Sequence, residues 1–184
     1  MRIIAGICRS RTIRAPEGME TRPTYDRVRE TVFDILQFFT PGSEVLDLYT
    51  GSGALALESL SRGAERAVMC DADAGAVRTA LLNAAALGLK DRCEVLHMPD
   101  IRALRLLKER GEAFDLVFLD PPYRMDLTGV METLTSSGLV KADGIIVAEY
   151  RENCPGTPEG YEVFRDRHIG RVCVRMYRRM KTEG

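Results

Sequence analysis

The sequence predicts a doubly wound α/β fold with a mostly parallel sheet, a C-terminal antiparallel β-hairpin and a short N-terminal arm. Short apolar runs alternate with stretches of helical periodicity between residues 45 and 150, which is typical of βαβ units. The run at 114–119 is almost entirely apolar, as expected of a parallel strand covered on both faces. With 184 residues, 45% of them hydrophobic and 29% charged, the chain has the size and composition of one globular domain.

Local patterns predict each element in chain order. A first helix is predicted at 24–39, because Thr24 can cap its N-terminus and apolar residues recur at helical spacing as far as Phe39. Five strands are predicted at 45–48, 66–70, 93–97, 114–119 and 145–149, with helices between them at 54–62, 74–87, 101–110 and 127–137. After a loop, residues 161–165 and 171–177 alternate around a turn at 168–170, and this pattern predicts the hairpin.

Charge is distributed unevenly along the chain, although the formal net charge is only −1. Residues 1–14 hold four arginines and no acid, and residues 160–184 hold six arginines and one lysine against three acids. Of the 26 basic residues, 22 are arginine, a side chain that binds phosphate in a bidentate geometry and stacks on bases. The two basic ends suggest an anionic polymer as partner, and solvated surface charge is the alternative.

Several classes of protein are disfavoured. No apolar run is long enough to cross a bilayer and the first residues lack the apolar core of a signal peptide, so we expect a cytoplasmic protein that does not engage membranes. The five cysteines include no CxxC pair, so we expect idle thiols rather than disulfides or a zinc site. We expect both histidines, His97 and His168, to be structural, and we predict a monomer without a bound metal.

Glycines and acids follow the predicted strands at the edge where ligands of such sheets bind. Gly51 and Gly53 allow a sharp turn and a close approach of backbone to a ligand. Asp71 ends the second strand and can accept hydrogen bonds from a ribose. Asp100 follows the third strand and can accept a hydrogen bond from an adenine amine. Together with Asp47, these acids at three successive strand ends predict a site for a nucleoside.

Asp47 distinguishes between two nucleoside cofactors. The run at 51–56 also fits a GxGxxA variant of the dinucleotide fingerprint, so a nicotinamide cofactor is an alternative. A carboxylate just before the turn would repel a pyrophosphate but suits the ammonium of an amino-acid ligand, which favours S-adenosylmethionine. The predicted cofactor site comprises Asp47, Thr50, Gly51, Ser52, Gly53, Asp71, Ala72, Asp100 and Ile101.

The fourth strand is followed by the sequence Asp-Pro-Pro-Tyr at 120–123. Two prolines fix the backbone and remove two N–H donors, so the free polar groups of this turn are acceptors. The Asp120 carboxylate and the Pro121 carbonyl match a planar base with an exocyclic amine, and Tyr123 can stack on its ring. We predict that Asp120, Pro121 and Tyr123 serve catalysis; a proline-rich turn with a half-buried tyrosine is the alternative.

These motifs carry a family resemblance. VLDLYTGSGALALESLSRGA and FDLVFLDPPY resemble the class I S-adenosylmethionine-dependent methyltransferases that act on amino groups. MRIIAG and TRPTYDRVRETVFDIL resemble the bacterial 16S rRNA guanine-N2 methyltransferases of the RsmD type, and the similarity covers nearly the whole chain. The resemblance implies a seven-stranded Rossmann-like sheet, S-adenosylmethionine as methyl donor, S-adenosylhomocysteine as product, and guanine N2 in 16S rRNA as acceptor.

The resemblance leaves some points open. The Asp-Pro-Pro-Tyr motif is shared with adenine-N6 and cytosine-N4 enzymes, so these are alternatives, and a non-catalytic nucleic-acid-binding module of the same fold is a remote one. The chain departs from the family pattern at Tyr49, Thr50 and Ala56. The substrate can be free rRNA or an assembled or assembling small ribosomal subunit.

Selection of one nucleotide in a long RNA requires contacts beyond the pocket that holds the base. We therefore divide the chain into an RNA-binding arm at 1–22 and a methyltransferase domain at 23–184, within one compact unit. The predicted RNA-binding residues are Arg2, Arg9, Arg11, Arg22 and Arg27. Arginines 171, 175, 178 and 179 of the tail are a second choice, since edge strands often carry charge only to block aggregation.

Overall fold

The computed structural model describes residues 1–16, 23–122 and 125–181. Its strands are β1 (Glu44–Asp47), β2 (Arg66–Asp71), β3 (Cys93–His97), β4 (Phe114–Leu119), β5 (Val140–Tyr150), β6 (Tyr161–Ile169) and β7 (Val172–Arg179). Its α-helices are α1 (Pro23–Ile35), α2 (Ala54–Ser61), α3 (Ala74–Leu87), α4 (Asp100–Glu109) and α5 (Thr128–Ser136), with a 3₁₀ turn at Lys90–Arg92.

The strands form one seven-stranded sheet in the order β3-β2-β1-β4-β5-β7-β6, which confirms the predicted α/β class. Strands β1 to β5 are parallel, and β7 runs antiparallel to both β5 and β6. The strand order reverses between β1 and β4, so the carboxyl ends of these two strands border the crevice where such sheets bind ligands.

Each face of the sheet is covered by its own set of helices. Phe118 of β4 packs on one face against Phe33 of α1, with ring centroids 5.9 Å apart, in a buried cluster that also includes residues of α2 and α3. Val117 and Leu119 point to the other face, where they pack with buried residues of α4 and α5. Because alternate residues of a strand point to opposite faces, Asp120, which follows Leu119, points towards the α1 side.

The N-terminal segment is part of the first of these cores. Ile3, Cys8 and Ile13 are buried in the cluster that contains α1, α2 and α3. The fully buried carboxylate of Glu58 in α2 accepts hydrogen bonds from the backbone N–H groups of Ile4 at 2.7 Å and Ala5 at 3.0 Å. Residues 1–16 are therefore anchored to the rest of the fold by apolar burial and by a buried carboxylate.

The predicted end of the first helix and the predicted place of the hairpin turn are wrong. The first helix ends at Ile35 rather than at Phe39, because the next turn is closed by short-range bonds to the carbonyl of Leu36, including one from the Thr40 hydroxyl at 2.9 Å. The hairpin turn lies at Gly170 and Arg171, because Gly170 supplies the positive φ of 63° that the turn requires. His168 consequently lies in strand β6 and not in the turn.

The fifth strand is longer than predicted, since β5 begins at Val140 instead of residue 145. Its pairing with β4 changes register between Phe114 and Leu116, and the sequence pattern gives no signal for this irregularity. Within the described residues, no helix is long and apolar enough to span a bilayer.

Candidate active site

A glycine turn joins β1 to α2 at the carboxyl edge of the sheet. Gly51 and Gly53 both adopt positive φ angles, 52° and 80°, which side chains other than glycine rarely reach. A Cβ on Gly53 would come within 3.1 Å of Leu57 and 3.2 Å of Met69, whereas a Cβ on Gly51 would meet no atom within 4 Å. Gly53 is thus favoured by its positive φ and by its close neighbours, and Gly51 faces open space in which a ligand can approach the backbone.

Asp71 connects this turn to the end of β2. One oxygen of its carboxylate accepts a hydrogen bond from the backbone N–H of Gly51 at 2.9 Å, and the other accepts one from Asp73 at 2.9 Å. The backbone of Thr50 completes the junction, because its N–H donates to the carbonyl of Cys70 at 3.0 Å. Asp71 therefore holds the glycine turn in place, a role that its position at a strand end did not reveal.

Asp47 ends β1 with its carboxyl group buried under the turn, only 1% exposed. Oδ2 accepts a hydrogen bond from the Thr50 hydroxyl at 2.9 Å, while Oδ1 is buried and has no hydrogen-bond partner among the described residues. Burial raises the pKa of Asp47 to about 7, although the hydrogen bond from Thr50 acts in the opposite direction. An unpaired buried acceptor of this kind fits the ammonium of an amino-acid ligand.

Asp100 lies at the first position of α4 and is tied to the glycine turn by a tyrosine. The Tyr49 hydroxyl donates to Oδ2 at 2.6 Å, and the N–H of Ile101 donates to Oδ1 at 2.6 Å. Burial and the hydrogen bond to Asp100 raise the pKa of Tyr49 well above its ordinary value, so the phenol is a donor at neutral pH. Tyr49 thus supplies a contact between two strand ends.

The remaining predicted cofactor residues lie around these groups. The buried Ser52 is held from behind, because its carbonyl accepts a hydrogen bond from the Asn83 amide of α3 at 2.8 Å. The same side chain bonds to the backbone of Arg14, with its Oδ1 accepting from the N–H and its amide donating to the carbonyl, both at 2.9 Å. Ala72 is exposed, and its carbonyl lies 3.2 Å from Nε2 of His97. Sequence analysis missed Asn83, whose polar side chain interrupts an otherwise apolar helix face.

Asp120 and Pro121 follow β4 directly and lie on the strand next to the one that leads into the glycine turn, because β4 pairs with β1. Asp120 lies one residue beyond the paired Leu119 of β4 and Ala148 of β5. Burial raises the pKa of the Asp120 carboxyl, and the nearby positive charge of Arg151 opposes that effect. Pro121 is buried beside it. The predicted catalytic Tyr123 and the predicted RNA contact Arg22 lie outside the described residues.

A further carboxyl group at this edge, Glu149, was missed by sequence analysis. It lies near the end of β5, is 5% exposed, and its charge interacts with those of Asp120 and Asp47. Burial and these two acids raise the pKa of Glu149, while Arg29 of α1 lowers it. The only signal for Glu149 in the sequence was its position at the end of an otherwise apolar predicted strand.

The predicted RNA-binding arginines occupy different environments. Arg2, Arg9 and Arg27 are exposed. The guanidinium of Arg11 forms hydrogen bonds within the protein. It donates to the carbonyl of Leu87 at 3.0 Å and to that of Ala86, both at the C-terminal end of α3. In the tail, Arg175 and Arg178 pair with acids of the neighbouring strand, Asp166 and Glu162.

Comparison with known proteins assigns the family. The family described as "Conserved hypothetical protein 95" matches residues 1–178. The chain belongs to this family. The Ribosomal RNA small subunit methyltransferase D of Escherichia coli is 32% identical over 97% of this chain and 90% of its own length. The YlbH protein of Bacillus subtilis is 35% identical over 97% of this chain and 99% of its own length.

The fold comparison agrees with the sequence comparison. The solved structure of the yhhF protein of Escherichia coli superposes with a TM-score of 0.85 at 33% identity, and each chain is covered over 97% of its length. Membership of this family makes the chain a methyltransferase with a class I fold, which confirms the predicted class of enzyme and favours it over the nicotinamide alternative.

Proposed function

We propose that the protein transfers a methyl group from S-adenosylmethionine to the exocyclic N2 amine of a guanine in 16S rRNA, in the cytoplasm and as a monomer. The observation that carries the proposal is the placement of Asp120 and Pro121 on the same sheet edge as the unpaired Oδ1 of Asp47. The small-subunit rRNA methyltransferase named among the relatives supports rRNA as substrate. The resemblance of the N-terminal block to guanine-N2 enzymes supports the choice of base.

The glycine turn and its flanking acids fit the methyl donor. Asp47 would accept from the ammonium of the methionine moiety, because its Oδ1 is a buried acceptor without a partner among the described residues. The ribose would lie beside Asp71, and the adenine beside Asp100 and Ile101. Thr50, Gly51, Ser52, Gly53 and Ala72 would contribute backbone and small side chains that allow close approach. When bound, S-adenosylmethionine supplies an electrophilic methyl group on a sulfonium.

Asp120 and Pro121 would prepare the acceptor amine. The lone pair of guanine N2 is delocalised into the ring, so this nitrogen is a weak nucleophile. Two fixed acceptors that bind its N–H groups favour a pyramidal nitrogen with a localised lone pair, and they stabilise the positive charge that develops on it. Tyr123 would stack on the base, which must be unpaired or flipped to reach the pocket.

The raised pKa of Asp120 suits a proton acceptor. A newly methylated nitrogen carries a positive charge and is acidic, so no strong base is needed to deprotonate it. The Asp120 carboxylate, whose pKa burial raises, would lie within hydrogen-bond range of that nitrogen and would take its proton directly or through water. Alignment of donor and acceptor by the two halves of the site supplies the rest of the rate enhancement.

The RNA would be held by the N-terminal arginines. Arg2, Arg9 and Arg27 are exposed and available to phosphates, and Arg22 belongs to the same prediction. Arg11 would contribute less to RNA binding, because its guanidinium already donates a hydrogen bond to a carbonyl at the end of α3. The paired arginines of the tail are a weaker choice for the same reason.

The test is to identify the methylated nucleoside. Purified protein is incubated with isotope-labelled S-adenosylmethionine and either free 16S rRNA or small subunits from a strain that lacks the enzyme, and the digested nucleosides are analysed by mass spectrometry. We expect N2-methylguanosine. N6-methyladenosine or N4-methylcytidine would instead establish one of the alternative acceptors that share the Asp-Pro-Pro-Tyr motif.

A further inference from the structure

Glu149 is a buried acid that the mechanism above does not use. Its side chain is 5% exposed, and its carboxyl group lies close enough to Asp120, Asp47 and Arg29 for their charges to act on it. Burying an acid costs free energy unless its charge is paired. A buried acid beside a candidate substrate pocket is itself a candidate ligand-binding group.

The sheet register places Glu149 beside the acceptor site. Leu119 of β4 pairs with Ala148 of β5, so Asp120 and Glu149 are the next residues along two adjacent parallel strands. Neighbouring strands lie about 4.8 Å apart, and laterally paired residues point to the same face. Phe118 and Val147, two residues earlier in the same two strands, lie in the buried cluster on the α1 side. Because the direction of the side chains repeats every two residues along a strand, Asp120 and Glu149 point to that side as well.

We propose that Glu149 accepts a hydrogen bond from the N1–H of the acceptor guanine and thereby selects guanine over other bases with an exocyclic amine. This inference rests on the proposed function. In guanine, N1–H is the neighbour of the N2 amine on the same edge of the ring. With N2 held by Asp120, a second acceptor on the adjacent strand is in position to meet N1–H.

The same arrangement disfavours the other amines. In adenine the ring nitrogen beside the amine is N1, in cytosine it is N3, and neither carries a hydrogen in the neutral base. A carboxylate oxygen that faces such a lone pair is an unpaired acceptor, and sites built to bond an N–H reject analogues that lack it. Asp120 and Pro121 bind any exocyclic amine, so Glu149 supplies the choice of base that the Asp-Pro-Pro-Tyr motif does not make.

Arg29 offers a different explanation for Glu149. Its guanidinium attracts the Glu149 carboxylate, but it donates hydrogen bonds to the carbonyl of Arg2 at 2.5 Å and to Asp26 at 3.0 Å. If Glu149 served only to balance this charge, its replacement would affect stability and would not affect the choice of base. The two roles are therefore separable by measuring base preference.

The experiment compares guanine with 2-aminopurine, which keeps the exocyclic amine and lacks N1–H. Each base is placed at the target position of otherwise identical rRNA, and kcat/KM for methyl transfer is measured at pH 8 for the wild type and for the Glu149→Gln variant. The matched control is Glu152→Gln, which changes an exposed acid three residues further along. Thermal unfolding of each variant measures any structural loss.

We expect the wild type to prefer guanine by tenfold or more, the range typical of one hydrogen bond to a charged group. Glu149→Gln should reduce that preference about tenfold, because an amide can donate to the bare N1 of 2-aminopurine as well as accept from N1–H. Glu152→Gln should keep the wild-type preference.

Equal wild-type rates on the two bases would overturn the inference without any variant. An unchanged preference in Glu149→Gln would overturn it too and would assign Glu149 to charge balance with Arg29. Absence of N2-methylguanosine from the wild-type reaction on guanine would instead contradict the proposed function itself.

Discussion

Three carboxyl groups, from Asp47, Asp120 and Glu149, share the carboxyl edge of β1, β4 and β5 on the side of α1. Burial raises the pKa of each, and their mutual repulsion adds to the effect at Asp47 and Glu149. Asp47 and Glu149 are buried, and such a concentration of acids with raised pKa values costs folding free energy at neutral pH and is typical of binding and catalytic sites.

The pH dependence of stability follows from the sign of the Asp47 shift. The pKa of Asp47 in the folded protein, about 7, lies above its ordinary value of 3.8, so the stabilising protonated form is lost as pH rises through 7. We expect ligand-free Asp47→Asn to be more stable than wild type at pH 8, by an amount of the order of 4 kcal/mol at most. Chemical denaturation at pH 4 and pH 8 measures this difference, which should shrink at pH 4.

The same substitution should weaken the binding of S-adenosylmethionine, because an amide does not attract an ammonium as a carboxylate does. The control variant is Asp126→Asn. Thr128 donates hydrogen bonds to this exposed carboxylate and lowers its pKa. The stabilising charged form of Asp126 is therefore lost as pH falls, which is the opposite of the trend at Asp47. Asp47→Asn protein whose stability at pH 8 is no higher than that of wild type would contradict the assignment of Asp47 as a costly buried charge.

A second residue-scale prediction concerns Asp120. Asp120→Asn should reduce kcat by roughly 10²–10³-fold, because an amide stabilises developing positive charge poorly and cannot take a proton. Calorimetry should show that most of the affinity for S-adenosylmethionine remains.

Tyr123→Phe should reduce methyl transfer only slightly, and Tyr123→Ala should reduce it severely, if stacking is the role of that ring. Equal damage from both tyrosine variants would show that the hydroxyl matters instead.

At the scale of elements, the turn between β1 and α2 is held by its neighbours as much as by its own glycines. Asp71 of β2 fixes Gly51, and Asn83 of α3 fixes Ser52. Asp73, two residues after Asp71, caps α3 by accepting from the N–H of Ala76 at 2.8 Å. Two aspartates that are close in sequence therefore serve different elements.

This division predicts contrasting variants. Asp71→Ala should weaken binding of S-adenosylmethionine by tenfold or more, since it removes both the predicted ribose acceptor and the anchor of the turn. Asp73→Ala should cost about 1 kcal/mol of stability, a usual value for an N-cap, with little change in affinity. Calorimetry and thermal unfolding on both proteins test the pair. Unchanged affinity in folded Asp71→Ala would remove Asp71 from the site.

At the scale of the whole molecule, the N-terminal segment is a structural part of the enzyme as well as its predicted RNA-binding arm. Glu58 anchors its backbone at Ile4 and Ala5, and Asn83 connects the backbone of Arg14 to the glycine turn. RNA held by the arm would therefore be positioned by the same framework that positions the cofactor.

Arg9 and Arg11 should accordingly respond differently to substitution. Arg9→Ala should reduce the dependence of log affinity for rRNA on log salt by about one unit and leave stability unchanged, because its side chain bonds no other described residue. Arg11→Ala should lower the unfolding temperature, since it frees two carbonyls at the end of α3. Filter binding across a salt series, with thermal unfolding, separates the two effects. If Arg9→Ala binds RNA as the wild type does, Arg9 is not part of the RNA-binding surface, and the tail hairpin becomes the leading candidate.

The sequence by itself determined the order of elements, the glycine turn and the proline-rich turn after β4. Those features depend on residues close together in the chain: helical or alternating periodicity, glycines that permit positive φ, and prolines that remove donors. For the same reason the limits of α3, β3 and β4 were predicted correctly.

Only the tertiary structure decided which distant groups meet. It buried Glu149 beside Asp120 through the register of β4 and β5, and it placed Arg11 on the end of α3. It also ended α1 before Phe39, whose ring packs edge-on against Phe164 of β6. The physical reason is that the burial and pairing of these side chains are set by contacts between elements far apart in the sequence, and local periodicity carries no information about those contacts.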